Sequence, residues 1–115
     1  MSKARSVIKL FKGAKVGPMV DQAKKLEKAR DRIYDDAKGE GDLGQQVLAM
    51  LDELDLSVDD KGKNVKKAEK KIKDWAGWIM ANADSEEIVG DASEKDVKDY
   101  VSFVKSEFKS AGLNV

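Results

Sequence analysis

The chain has no cysteine and no histidine. Without cysteine there is no disulfide, thiolate nucleophile or Cys-ligated metal, and the redox state of the compartment leaves no mark. Without histidine the commonest general base and metal ligand is gone, together with the usual pairings that activate a nucleophile. Proline occurs once, and the aromatics are two Trp, two Tyr and three Phe. Long apolar runs are missing too. Val7, Ile8, Leu10 and Phe11 are interrupted by Lys9, which spoils a secretory core and falls far short of the roughly 18 residues that span a bilayer. These absences lead us to expect a cytoplasmic protein that is not an enzyme and carries no cofactor or metal. The first 20 residues hold Lys3, Arg5, Lys9, Lys12 and Lys15 and no acid, a composition shared with organelle transit peptides. With Met1 in place, the cytoplasmic reading is the simpler one.

What the chain does have is charge and helical period. Of its 115 residues 41% are hydrophobic and 38% charged, enough for one modest core, so 1–115 is expected to be a single domain. The apolar residues recur at helical intervals, which predicts an all-α fold, a compact bundle of four to five helices. The first segment, about Lys3 to Lys12, puts Val7, Phe11 and Ala14 on one side and Arg5, Lys9 and Lys12 on the other. We expect 1–17 to be a basic amphipathic N-terminal helix at the periphery of the domain. Gly13 and Gly17-Pro18 punctuate, and Pro18 suits the first turn of a second helix running to about Lys38. There Met19, Ala23, Leu26, Ile33 and Ala37 form an a/d seam, with Arg30 where another apolar residue is expected.

Gly39 and Gly41 end that helix. Asp42 with Gln45 predicts an N-cap and capping box for a third, carrying Leu43, Val47, Met50, Leu51 and Leu54 on one face and Leu48 off it. Leu56 to Gly62 reads as a turn, with a small hairpin as the lesser alternative. From Gly62 to Ala83 a fourth helix carries the stripe Val65, Ala68, Ile72, Trp75, Ala76, Ile79 and Ala83, and is expected to be the central packing element. After an acidic, Gly-containing loop, Ser93 and Asp96 give a capping signal for a fifth helix. Its Val97, Tyr100, Val101, Val104 and Phe108 face inward, and Gly112 stops it. The Trp75-Ala76-Gly77 triplet has the form of the WxG of small secreted helical-hairpin proteins, where it lies in the hairpin turn. Here the apolar period continues through Trp75 to Ala83, so it reads as helix interior and no family is assigned.

The net charge of zero conceals alternating blocks. Met1 to Glu40 has eleven basic and six acidic residues, and Gly41 to Asp60 has six acids and no base. Lys61 to Asp74 has seven basic and two acidic, and Trp75 to Asp96 one basic and six acidic. Such blocks become either neighbouring solvated faces of opposite sign or separate basic and acidic patches that steer a partner or promote head-to-tail association.

The acidic runs Asp52–Asp60 and Asp84–Asp91 do not match a calcium loop. With Asp55, Ser57 and Asp59 as the leading ligands, Asp60 stands where Gly is needed and Lys66 where the bidentate Glu is needed. No Gly-rich phosphate loop occurs, and the glycines read as helix stops and turns. More informative are Lys63, Lys66, Lys67, Lys70, Lys71 and Lys73, which lie opposite the stripe of the fourth helix, with Trp78 at the border of that basic face. A Trp there is suited to anchoring a partner or stacking on a base.

The expected function is a non-catalytic macromolecular interaction protein: a small helical accessory, adaptor, inhibitor or assembly factor. It would bind a protein partner, or itself, through a charged face, with Lys66, Lys67, Lys70, Lys71, Trp78 and Arg30 as the partner-binding residues. The alternative is a nucleic-acid-binding module using the Lys-rich face. Zero net charge, only Arg5, Arg30 and Arg32 as arginines, and no helix-turn-helix or RNA-binding signature stand against it. Neither membrane attachment nor a small-molecule substrate is expected.

Overall fold

Five helices make up the regular structure of the computed structural model, which describes residues 13–59 and 61–115, with side chains described from Asp21 onward. They are α1 Gly13–Ala37, α2 Gly41–Asp52, α3 Lys63–Ala81, α4 Glu86–Val89 and α5 Glu94–Ser110. No strand occurs among the described residues, so the hairpin alternative does not form; Leu54 to Asp59 is irregular, and the Gly62 N–H returns to the Asp59 carbonyl at 3.2 Å as in a turn. The amphipathic helix expected over Lys3 to Lys12 lies outside the described residues, as do the Met19 side chain and Asp60.

α5 follows its sequence signals most closely. The Ser93 hydroxyl accepts from the Asp96 N–H at 3.1 Å, and the Asp96 carboxylate accepts from the Ser93 N–H at 3.2 Å, a reciprocal capping box. Val97, Tyr100, Val101, Val104 and Phe108 are all buried. At its far end Gly112 takes φ +99°, and the Leu113 N–H returns to the Phe108 carbonyl at 3.0 Å. That reversal buries Leu113 and brings the Asn114 N–H to the Glu69 carboxylate at 2.7 Å, so the tail folds back toward α3.

Four expectations are corrected. α1 is continuous from Gly13 through Gly17-Pro18. Pro18 is its sixth residue and withholds one N–H from the Ala14 carbonyl, while its fixed φ is already helical. Along the inward seam Ala29, not Arg30, takes the place between Leu26 and Ile33; the small side chain goes in and the guanidinium stays partly in solvent. α2 has no side-chain cap. Glu40 holds the N-cap position, and Asp42 lies inside the first turn, where its charge suits the helix dipole. The acidic loop contains α4, a single turn that buries Val89.

The central element is also not the one expected. α5 packs against both α1 and α3, α1 against α2 and α5, and α2 against α4. α3 presents the predicted stripe, with Ala68, Ile72, Trp75, Ala76 and Ile79 buried, mainly to α5. The buried residues other than Ala68 join in one cluster drawn from α1, α2, α3, α4 and α5, with Phe108, Leu26, Ile33, Ile72 and Ile79 among its fully buried side chains. Because α3 leans on α5, it does not close on α2, and a groove remains between them.

Gly44 shows how tightly the other side is packed. It lies inside α2, and a Cβ there would stand 1.9 Å from the Ala37 carbonyl oxygen. This glycine is a point of close helix contact, contrary to the expectation that the glycines only stop helices and make turns.

Candidate functional site

The groove between α2 and α3 has a volume of about 740 Å³. Its α2 wall carries Gln46, Ala49 and Met50, followed by Glu53, Leu54 and Asp55 as the chain leaves the helix. The α3 wall carries Lys67, Ala68, Lys70, Lys71, Asp74, Trp75 and Trp78, spaced three and four apart as one helical face requires. Trp75 is nine-tenths buried and forms part of the floor, whereas Trp78, one turn further on, is 45% exposed. Trp78 is the most exposed large hydrophobic side chain among the described residues. The Trp75 indole N–H is buried without a hydrogen-bond partner, a donor whose desolvation nothing offsets.

The rim is charged in both signs. Lys71 reaches Glu53 at 3.4 Å across the groove, and Lys70 reaches Asp74 at 2.8 Å one turn along α3. The Asp74 carboxylate holds the Lys70 ammonium above its usual pKa, by hydrogen bond first and charge second. Asp55 accepts the Ser57 hydroxyl at 2.6 Å and the Ser57 N–H at 3.0 Å, and these bonds hold its carboxyl below the usual carboxylate range. The same loop is pinned to α3, since Asn64 donates its side-chain amide to the Ser57 hydroxyl and its backbone N–H to Asp59. Three lysines and three carboxylates therefore line the groove in balance.

Of the residues expected to bind a partner, the structure brings Lys67, Lys70, Lys71 and Trp78 into this one groove. Lys66 is exposed on α3 but does not line it. Arg30 belongs to α1, where its one ion pair among the described residues is with its neighbour Asp31, at 3.4 Å, one turn from the exposed Tyr34. The α2 wall was not foreseen. Met50 and Leu54 read as core positions, and nothing in their periodicity shows that the facing helix stands off.

A second depression, of about 660 Å³, lies where the start of α2 meets α4 and the start of α5. Glu40, Asp42, Asp91, Asp96 and Asp99 line it with Tyr100, and among the described residues no lysine or arginine does. Among the described residues no group of three or more acids stands close enough to hold a metal ion. No helix among them is long and apolar enough to cross a membrane. Comparison with protein-family models, with curated proteins and with solved structures finds no match.

Proposed function

We propose that this chain is a non-catalytic interaction protein that binds an amphipathic segment of a protein partner in the α2–α3 groove, with Trp78 as the anchor. The observation that carries the reading is the pairing of an exposed indole with an apolar floor and a charge-balanced rim. Interface energy concentrates in a few aromatic or Arg anchors surrounded by polar contacts, and Trp is the residue most enriched among them. The floor of Met50, Leu54, Ala68 and Trp75 takes apolar side chains. Lys67, Lys70 and Lys71 alternate with Glu53, Asp55 and Asp74, which suits a segment bearing both signs of charge.

The balanced rim also weighs against the nucleic-acid alternative. A phosphate backbone gains affinity from each neutralising cation and loses it to each carboxylate facing it, and here the two are equal in number. Two of the three groove lysines, Lys70 and Lys71, are paired with Asp74 and Glu53, which suits a binding rim and a non-catalytic role.

Affinity capture from the native host with wild-type chain, Trp78→Ala and Arg30→Ala tests the site. Wild type and Arg30→Ala should retain the same protein, and Trp78→Ala should lose it; identical retention by all three chains overturns the reading. Gel-shift with labelled single- and double-stranded DNA and RNA at low salt should show no complex. A shift that fades steeply as salt rises would instead assign the Lys face to nucleic acid.

A further inference from the structure

Resting on the groove reading above, we infer that the amphipathic segment it takes is α3 of a second copy of this chain, laid antiparallel across a two-fold axis. The outward face of α3 carries Lys67, Lys71, Asp74 and Trp78, all exposed and all lining the groove. Their steps of four, three and four residues are those of a coiled-coil seam, about 17 Å from end to end. The seam runs beside the buried stripe of Ala68, Ile72, Trp75 and Ile79 rather than on it. α3 therefore gives one face mainly to α5 and presents a second, continuous face to solvent.

That face is complementary to itself in one orientation. The spacing reads the same in both directions about the midpoint between Ile72 and Lys73. Turned end over end about that point, Lys71 meets Asp74 of the second copy and Lys67 meets Trp78 of the second copy. The two-fold axis repeats each contact, giving two ion pairs and two ammoniums set on indole faces. Side by side in parallel register, the same helices would place Lys71 on Lys71 and Asp74 on Asp74, which repel. Antiparallel seams also pair the two kinds of seam position with each other, as these contacts require.

The ion pairs already present within one chain do not oppose this. Lys70 with Asp74 and Lys71 with Glu53 are both exposed, and such surface pairs hold weakly. Lys70 engages only Oδ2 of Asp74, which leaves Oδ1 for a lysine arriving from the second copy. Across the groove the α2 wall offers Ala49, exposed and small enough for a helix to lie close. Because each copy uses the same patch, the contact is isologous and closes as a pair, without the open chains that a head-to-tail contact would build.

Sedimentation equilibrium of the full chain over a range of protein concentration tests this. Wild type should rise from the mass of one chain to that of two and stop there. Lys71→Asp faces carboxylate with carboxylate at both central contacts, and Asp74→Lys faces ammonium with ammonium. Each variant alone should remain monomeric, and so should Trp78→Ala, which removes both anchors at once. An equimolar mixture of Lys71→Asp with Asp74→Lys should regain the two-chain mass, as should one chain carrying both exchanges. Circular dichroism verifies that every variant keeps its helix content. A wild type that stays monomeric, a mass that climbs past two chains, association that either single reversal leaves intact, or a mixture that fails to pair overturns the inference. Failure of the groove reading is seen separately, in the capture experiment. A monomeric wild type that still retains a host protein, lost with Trp78→Ala, keeps the groove as a binding site and rejects the second copy as its occupant.

Discussion

Gly44 and Gly77 both lie in helix interiors and place opposite demands on the side chain they lack. A Cβ at Gly44 would be driven into the Ala37 carbonyl, whereas one at Gly77 would meet nothing within 4 Å. Gly77→Ala should therefore stabilise the protein by about 0.5–1 kcal/mol, the helix-propensity difference between the two residues. Gly44→Ala should destabilise it by about 1–3 kcal/mol, the usual range for overpacking. Urea midpoints of the two variants should fall on opposite sides of wild type. Nothing in the sequence tells the two apart in this respect, because the difference lies in what the neighbouring helix does. Tyr100 supports a second prediction. Burial, reinforced by Asp36 and Glu40, raises its phenol above the ordinary tyrosine range. An acid whose pKa is higher in the folded state contributes stability that is complete below the unfolded value, about 10, and is lost as pH rises from there through the folded value. In a Tyr34→Phe chain, where Tyr100 is the sole tyrosine, tyrosinate absorbance should emerge only beyond the ordinary range, and urea resistance should fall over the same alkaline interval.

At the scale of elements, legibility followed the strength of local signals. α5 was readable throughout, since Ser93, Asp96 and five inward apolar positions agree on one phase and one boundary. α1 was read one residue out of phase at a single step. Leu26, Ile33 and Ala37 fit a seam passing through either residue 29 or residue 30, and packing between α2 and α5 chose the alanine, which allows closer approach. α4 went unseen because four residues are a single turn, too short for a period to show. The capping box of α5 also carries a prediction. Ser93→Ala removes the acceptor for the Asp96 N–H and should cost about 0.5–2 kcal/mol. Ser93→Asp keeps an acceptor there and should recover most of that loss, measured by thermal or urea unfolding. Equal losses in both variants would mean that the hydroxyl contributes by something other than capping.

For the whole molecule, the charge blocks of the sequence turn out to be poor guides to the surface. The lysines of α3 meet acids from the end of α2 and from their own helix, so that groove is balanced. The acidic depression draws on residues from 40 to 99 that belong to no single block. Both results depend on which helices touch, and the apolar patterns of α2 and α3 look alike whether the facing helix is close or stands off. The same connectivity bears on cooperativity. α3 is held mainly through α5, and α5 mainly through α1 and α3, yet the buried side chains of all five helices form one cluster with Phe108 fully enclosed. If that shared core dominates, α3 has no independent stability and unfolding is all-or-none. Tryptophan fluorescence, which reports only α3 through Trp75 and Trp78, should then give the same urea midpoint as far-UV circular dichroism, which reports every helix. Phe108→Ala should move both probes together, by about 3–5 kcal/mol. A fluorescence transition ahead of the helical one would show instead that α3 detaches first, and that the groove it forms with α2 opens by local unfolding before the rest of the bundle is lost.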